Sequence, residues 1–214
     1  MAIDRRDVVL LRLSVGICLG DWNLLRELRR SAAPGEPNRA WREAALQAHL
    51  FAGLPRLVEA CGVLAEAGGL GAPDPGEAAY AADDFGAGQE LFQRIYGGDS
   101  PRVRAGLAAA HPVLEHWILG HAYGRVLARP GLAPDRRELC AVACLASLGQ
   151  DRQLASHVRG GLRCGATAAE LRAALAAVGD LLRDHELRHA QRVLDRFAPL
   201  AGAPDPEADL TARP

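Results

Sequence analysis

The chain has 214 residues and a formal net charge of −1 with its charges interspersed; it is long enough for one large domain or two small ones, and it carries no basic stripe that would track a phosphate backbone, so nucleic acid is not an expected partner. All 25 basic residues are arginines, which excludes a lysine Schiff base and a P-loop lysine. Aromatic residues make up only 5% while Ala, Leu, Arg and Glu dominate, so local propensity favours helix over strand and the expected class is all-α.

Residues 5–19 and 22–32 read as two helices parted at Gly20-Asp21. The run VVLLRLSVGICLG has Arg12 near its centre and no small-residue cleavage site after it. Neither a signal peptide nor a spanning helix is expected, and a cytoplasmic location is. After the loop SAAPGEPN, the run WREAALQAHLF forms a third helix, broken at Gly53-Leu54-Pro55 before RLVEACGVLAEA. The Gly-, Pro- and Ala-rich stretch 68–84 reads as a linker. Beyond it come QELFQRIYGG, a helix N-capped at Ser100 with Pro101 at its first position, and a longer helix VLEHWILGHAYGRVL with Leu114, Trp117 and His121 on one face. The helices RRELCAVACLASLG and DRQLASHVRGGLRC follow, the second ending at Gly165. A Thr167/Glu170 capping box starts ELRAALAAVGDLL, and DHELRHAQRVLDRF closes the fold. Residues 201–214 read as a disordered tail.

The two halves align. RRDVVLLRLSVGICLGDWNLLRELRRS matches RRELCAVACLASLGQDRQLASHVRGG, and WREAALQAHLFAGLPRLVEA matches AAELRAALAAVGDLLRDHELRHA. Two copies of one helical unit would bury their apolar faces against each other about a pseudo-twofold axis. The expected division is a degenerate first copy at 1–72, a linker at 73–86, a second copy at 87–200 and the tail. The five cysteines, Cys18, Cys61, Cys140, Cys144 and Cys164, form no CxxC and no metal-binding spacing. They read as reduced thiols, with Cys140 and Cys144 as core packing. The letters His185, Glu186 and His189 spell H-E-x-x-H, but no convincing third ligand follows, so they read as a helix surface and no metal is expected.

The segment from about 94 to 175, with YG-x-V-x-x-RPGL, then RE-L, then H-x-R-G-x-L-x-x-G-A-T-x-x-E-L in order, resembles the carboxymuconolactone decarboxylase family, which includes alkylhydroperoxidase D-like proteins. The resemblance implies an all-helical fold that assembles as rings, and a fused pair of units implies a homotrimer. It also implies two chemistries. The peroxidase branch uses a CxxC pair, a following His and an upstream Glu; the decarboxylase branch, a lyase, uses neither the cysteine pair nor a cofactor. Here Glu138 and His157 stand at the relay positions, while Gln150 and Gln153 occupy the cysteine positions. Glutamine is neither nucleophile nor reductant, so peroxidase chemistry is not expected at this site.

Spacing supports the pair independently. Glu138 lies before the Gly149 turn and His157 after it, and at ~1.5 Å rise per residue their axial offset is about 4–5 Å, within reach across an antiparallel hairpin. The plainer alternative makes Glu138 a first-turn carboxylate and His157 a core histidine. In the first half the corresponding residues are Asp7 and Arg26, which suit a salt bridge.

The expected reading is a cofactor-free enzyme that decarboxylates a small unsaturated lactone or related acid. His157 donates the proton, Glu138 orients it, and Arg129 or Arg137 clamps the substrate carboxylate. Gln150, Gln153, His121 and Trp117 are the expected pocket lining. The alternatives are a thiol peroxidase using an unconventional cysteine and a non-catalytic ring-forming scaffold.

Overall fold

A computed structural model describes residues 3–78 and 83–199; no strand occurs among the described residues. The first half comprises α1 (Arg5–Leu19), α2 (Trp22–Arg30), α3 (Arg39–Ala52) and α4 (Leu54–Glu66). α5 (Asp84–Tyr96), α6 (Ser100–Ala110) and the short α7 (Leu114–Trp117) come next, and α7 runs on as a π-helical segment, Ile118–Leu127. The chain then forms α8 (Pro134–Ser147), α9 (Asp151–Cys164), α10 (Ala168–Ala177) and α11 (Asp184–Phe197). Helix ends fall where the side chains dictate. The Thr167/Glu170 capping box is formed, Glu170 N–H donating to Thr167 Oγ1 and Thr167 N–H to Glu170 Oε2. α9 ends at Gly165 with φ +109°, a left-handed conformation that glycine adopts without a Cβ penalty.

α8 lies at the centre. Every residue from Arg137 to Ser147 is buried, so the helix is covered on all sides, and its Ala, Cys and Val side chains let neighbours approach closely. α1 packs on α3 and α8, while α3 also reaches α8 and α10 reaches α1. One continuous hydrophobic cluster therefore runs from Leu11, Leu13 and Trp41 in the first half to Leu139, Leu171 and Leu194 in the second. Cys18 and Cys144 lie side by side, both buried.

α5 and the π-helical segment form a smaller layer with its own cluster around Phe92, Ile95, Leu119 and Tyr123. They touch backbone to backbone. A Cβ on Gly88 would overlap the Leu119 carbonyl, and one on Gly124 would overlap the Asp84 carbonyl. Three expectations change here. The linker assigned to 73–86 ends early, because α5 already begins at Asp84, and residues 79–82 of it lie outside the described residues. Ser100 is the first helical residue rather than the cap; Asp99 precedes it and Pro101 sits in the first turn. The segment after Trp117 is π-helical, and Ala128 N–H bonds to the Tyr123 carbonyl five residues back. The expected tail, 201–214, also lies outside the described residues.

The first part of the linker is pinned. Arg42 on α3 grips the Glu77 carboxylate with two bonds of 2.7 Å and donates to the Leu70 carbonyl at 2.9 Å. Arg29 holds the Gly68 and Gly69 carbonyls. The hydrogen bonds from Arg42 hold the Glu77 carboxyl down from 4.5 to about 2. A carboxyl so depressed stabilises the fold fully above its ordinary value and loses that contribution as pH falls toward about 2. Glu77→Gln is therefore expected to lower the melting temperature at neutral pH and to flatten its decline below pH 4.5. Melting curves of the two proteins that fall in parallel across that window would refute the assignment.

Candidate functional site

α8 and α9 form an antiparallel hairpin turning at Gly149, which has φ +65°. Glu138 on α8 and His157 on α9 meet across it, His157 Nδ1 lying 2.9 Å from Glu138 Oε2. Both are buried, with 1% and 7% of their surface exposed. The hairpin admits the carboxylate because Gly160 stands one turn after His157. A Cβ there would come within 2.8 Å of Glu138 Oε2 and 2.9 Å of Ile95 Cγ2. The imidazole edge packs against Phe51, with ring centroids 5.9 Å apart.

With Nδ1–H donated to Glu138, the tautomer leaves Nε2 as the reactive nitrogen. Nε2 has no hydrogen-bond partner among the described residues and is not sealed from solvent. His157 lines a cavity of about 390 Å³. Its walls are mainly apolar, including Phe51, Phe92, Leu107 and Ile118, and Gln150 and Gln153 lie at its polar end. Tyr96 and Tyr123 complete it, their hydroxyls 3.4 Å apart. Burial pushes both phenols up, Tyr123 far more strongly, so both remain neutral hydrogen-bonding groups.

The other expected residues lie elsewhere. Arg137 is only 1% exposed and is paired with Glu43 of α3, Nη2 to Oε2 at 2.8 Å. It also donates to the Leu132 and Arg129 carbonyls and to Gln47 Oε1. Burial pulls this guanidinium below its usual range, against the opposing pull of Glu43. Arg129 grips the same carboxylate at 2.9 Å and the Glu77 carbonyl at 2.7 Å. Neither arginine lines the His157 cavity. They tie α3 to α8 and the linker, and the buried Glu43 carboxylate holds their donors.

Trp117 is 65% exposed, and His121 pairs with His49 at 2.8 Å between the Nε2 atoms. Both are absent from the cavity wall, which takes Ile118, Ala122, Tyr123 and Leu127 instead. Trp117 ends α7, before the π-helix begins; within the segment from Ile118, i→i+5 bonding widens the turn, so inward positions recur every four to five residues. Asp7 and Arg26 also fail to pair with each other. Asp7 lies 3.6 Å from Arg136, and Arg26 lies 4.0 Å from Glu66.

The thiols do not favour nucleophilic chemistry. Burial pushes Cys140 and Cys164 up to about 11 and Cys144 well above its ordinary value, and partial desolvation raises the exposed Cys61. Along the H-E-x-x-H letters, Glu186 caps its own helix through Arg183, and His189 Nδ1 lies 2.8 Å from Asp151. No group of three or more His, Cys, Asp or Glu among the described residues could hold a metal ion.

The sequence reading missed Gly160, Phe51, Tyr96 and Tyr123. Tyr123 sits in the YG-x-V run and Gly160 in the H-x-R-G run, so their positions were marked, though not their parts in the site.

An all-helical domain carries this buried acid and imidazole side by side, and residues 112–196, which contain both, match the model of the Carboxymuconolactone decarboxylase family. Among individual proteins, the chain is similar to "Peroxisomal protein 2" of Schizosaccharomyces pombe (strain 972 / ATCC 24843), 30% identical over 131 residues. That alignment covers 59% of this chain and 61% of the curated relative, so the chain spans less than two thirds of that protein's length.

Proposed function

We propose that the protein is a cofactor-free enzyme that decarboxylates a small unsaturated carboxylic acid, with His157 as the proton donor. The observation that carries this reading is His157 Nδ1 held at 2.9 Å by Glu138 while Nε2 faces a mainly apolar cavity. In such a cavity a substrate carboxylate loses its hydration, and release of CO2 disperses the charge. The carbon–carboxylate bond breaks, CO2 leaves, and the electron pair passes into a conjugated enolate. The protonated ring then delivers its Nε2 proton to the carbon, and water restores it. Ionised Glu138 balances the ring's charge and fixes its orientation. Gln153, one turn before His157, and the Tyr96 hydroxyl are the donors within the cavity for the developing oxyanion. Thiol peroxidase activity is disfavoured by the glutamines at the cysteine positions and by the raised thiols. Decarboxylase and hydroperoxidase assays on the wild type and His157→Ala, run side by side, test the reading.

The same proposal includes two tandem copies, with α1–α4 matching α8–α11 and the linker between them ending before Asp84. The reciprocal packing of α1 on α10 and α3 on α8 supports it. It also includes assembly as a homotrimer and a cytoplasmic location. No helix among the described residues is long and apolar enough to cross a membrane. A second copy is the occupant we assign to the outer face of α4, where Leu54 is 61% and Val58 67% exposed. Burying such side chains contributes about 1.5–3 kcal/mol each. Light scattering is expected to give three times the 22.7 kDa chain mass, with Val58→Asp shifting the protein to smaller species. A monomeric wild type would dismiss the trimer.

A further inference from the structure

α9 presents two neighbouring stripes. Gln153, His157, Gly160 and Cys164 recur at helical spacing on the face toward Glu138 and the inner cavity, and beside them run Arg152, Ser156, Arg159 and Arg163. The arginine stripe opens onto a second cavity of about 810 Å³, to which Arg102 also contributes. The two cavities share Tyr96, Val103, Gln150 and Gln153, so they adjoin at a common collar.

Charge in the outer cavity is unbalanced. Of its two carboxylates, Asp99 accepts from Arg102 at 3.0 Å and Asp151 lies 2.8 Å from His189. Arg152, Arg159 and Arg163 have no carboxylate within salt-bridge distance among the described residues. Two of them are nevertheless held in place by uncharged groups. The Arg159 guanidinium lies over the Phe197 ring, 4.7 Å from its centroid, and Arg163 Nη1 donates to the Ile95 carbonyl at 2.6 Å. Asp99 also feels the charge of Arg159 and Arg163, yet four arginines face two carboxylates across this cavity, and positioned guanidinium groups in such excess are pre-organised for an anion.

The geometry points to an amphipathic organic phosphate as the ligand: its doubly charged headgroup sits among Arg159, Arg163 and Arg152, and its apolar portion passes the Gln150/Gln153 collar toward His157. A single carboxylate would leave most of the positive charge unmatched. The inner cavity, whose lining includes His157 but no carboxylate or guanidinium, suits a carbon skeleton and not the headgroup. This rests on the reading that substrate reaches His157 in the inner cavity, and it supplies the anion site that Arg129 and Arg137 do not.

Isothermal titration of the full chain with octyl phosphate, inorganic phosphate, octanoate and octanol tests it. Octyl phosphate is expected to bind about tenfold or more tighter than any of the other three, and to weaken as salt is added. Arg159→Gln/Arg163→Gln should reduce its affinity about tenfold or more, and the exposed Arg152→Gln by roughly threefold. Val103→Trp, which narrows the collar, should bring octyl phosphate down to the level of inorganic phosphate. His157→Ala should keep the preference for octyl over inorganic phosphate, which the arginines and the collar set, so loss of catalysis with that preference retained separates the proton-transfer reading from this one. Equal affinity for octyl and inorganic phosphate, equal affinity for octanoate, or octyl phosphate binding that survives the arginine substitutions in folded protein would overturn it.

Discussion

His157→Ala is expected to lower turnover on an unsaturated lactone acid by roughly 10²–10⁴-fold, the range of positioned general acid–base groups. The folded structure should survive, because the ring lines a cavity and its only hydrogen bond among the described residues is to Glu138. Removing it does leave Glu138 buried without its partner, so a modest loss of stability accompanies the loss of rate. Two companion substitutions separate donor from orienter. Glu138→Gln can still accept from Nδ1–H but carries no charge, so kcat is expected to fall and the pH profile of kcat/KM to move while KM holds. Gly160→Ala puts a methyl 2.8 Å from Glu138 Oε2, which should push the carboxylate away from Nδ1 and lower kcat while both groups of the pair are retained. Full activity in His157→Ala would end the proton-donor assignment.

Glu43→Ala is expected to be the most damaging single substitution for stability, at about 3–5 kcal/mol, because it leaves buried Arg137 with no counter-charge. Arg129 loses the same partner. The loss is one of unpaired charge more than of missing attraction, and that distinction can be measured. Replacing Glu43 by Leu together with Arg137 by Met should recover much of the stability lost in Glu43→Ala, since a buried pair exchanged for packed apolar groups is often close to neutral. Denaturant titration of the three variants decides between the accounts. A double variant no more stable than Glu43→Ala would mean that the pair is needed for register between α3 and α8.

How far the sequence foretold this depends on the kind of signal. Helix positions were legible from caps and breakers: the bounds of α9 and α11 were read to the residue, and the Thr167/Glu170 box formed as spelled. The meeting of Glu138 and His157 was legible because a straight hairpin converts chain separation into axial distance. The arginines were misread because an ion pair with Glu43, 94 residues from Arg137 along the chain, leaves no periodic trace. His121 lies in a π-helix that no composition cue marks, so counting at the α period along this segment does not give its inward positions. The stripe of Arg152, Ser156, Arg159 and Arg163 on α9 stands in the sequence at spacings of four, three and four. Only the cavity beside it gave it meaning.

The π-helical segment has a consequence for how this site can be altered. Deleting one residue between Ile118 and Leu127 would favour rewinding into ordinary α-helix, turning every later side chain about the axis and exchanging Tyr123 and Leu127 at the wall for their neighbours. A single change of chain length would thus replace several wall positions at once, remodelling ligand selectivity more abruptly than any one substitution while leaving α8 and α9 untouched.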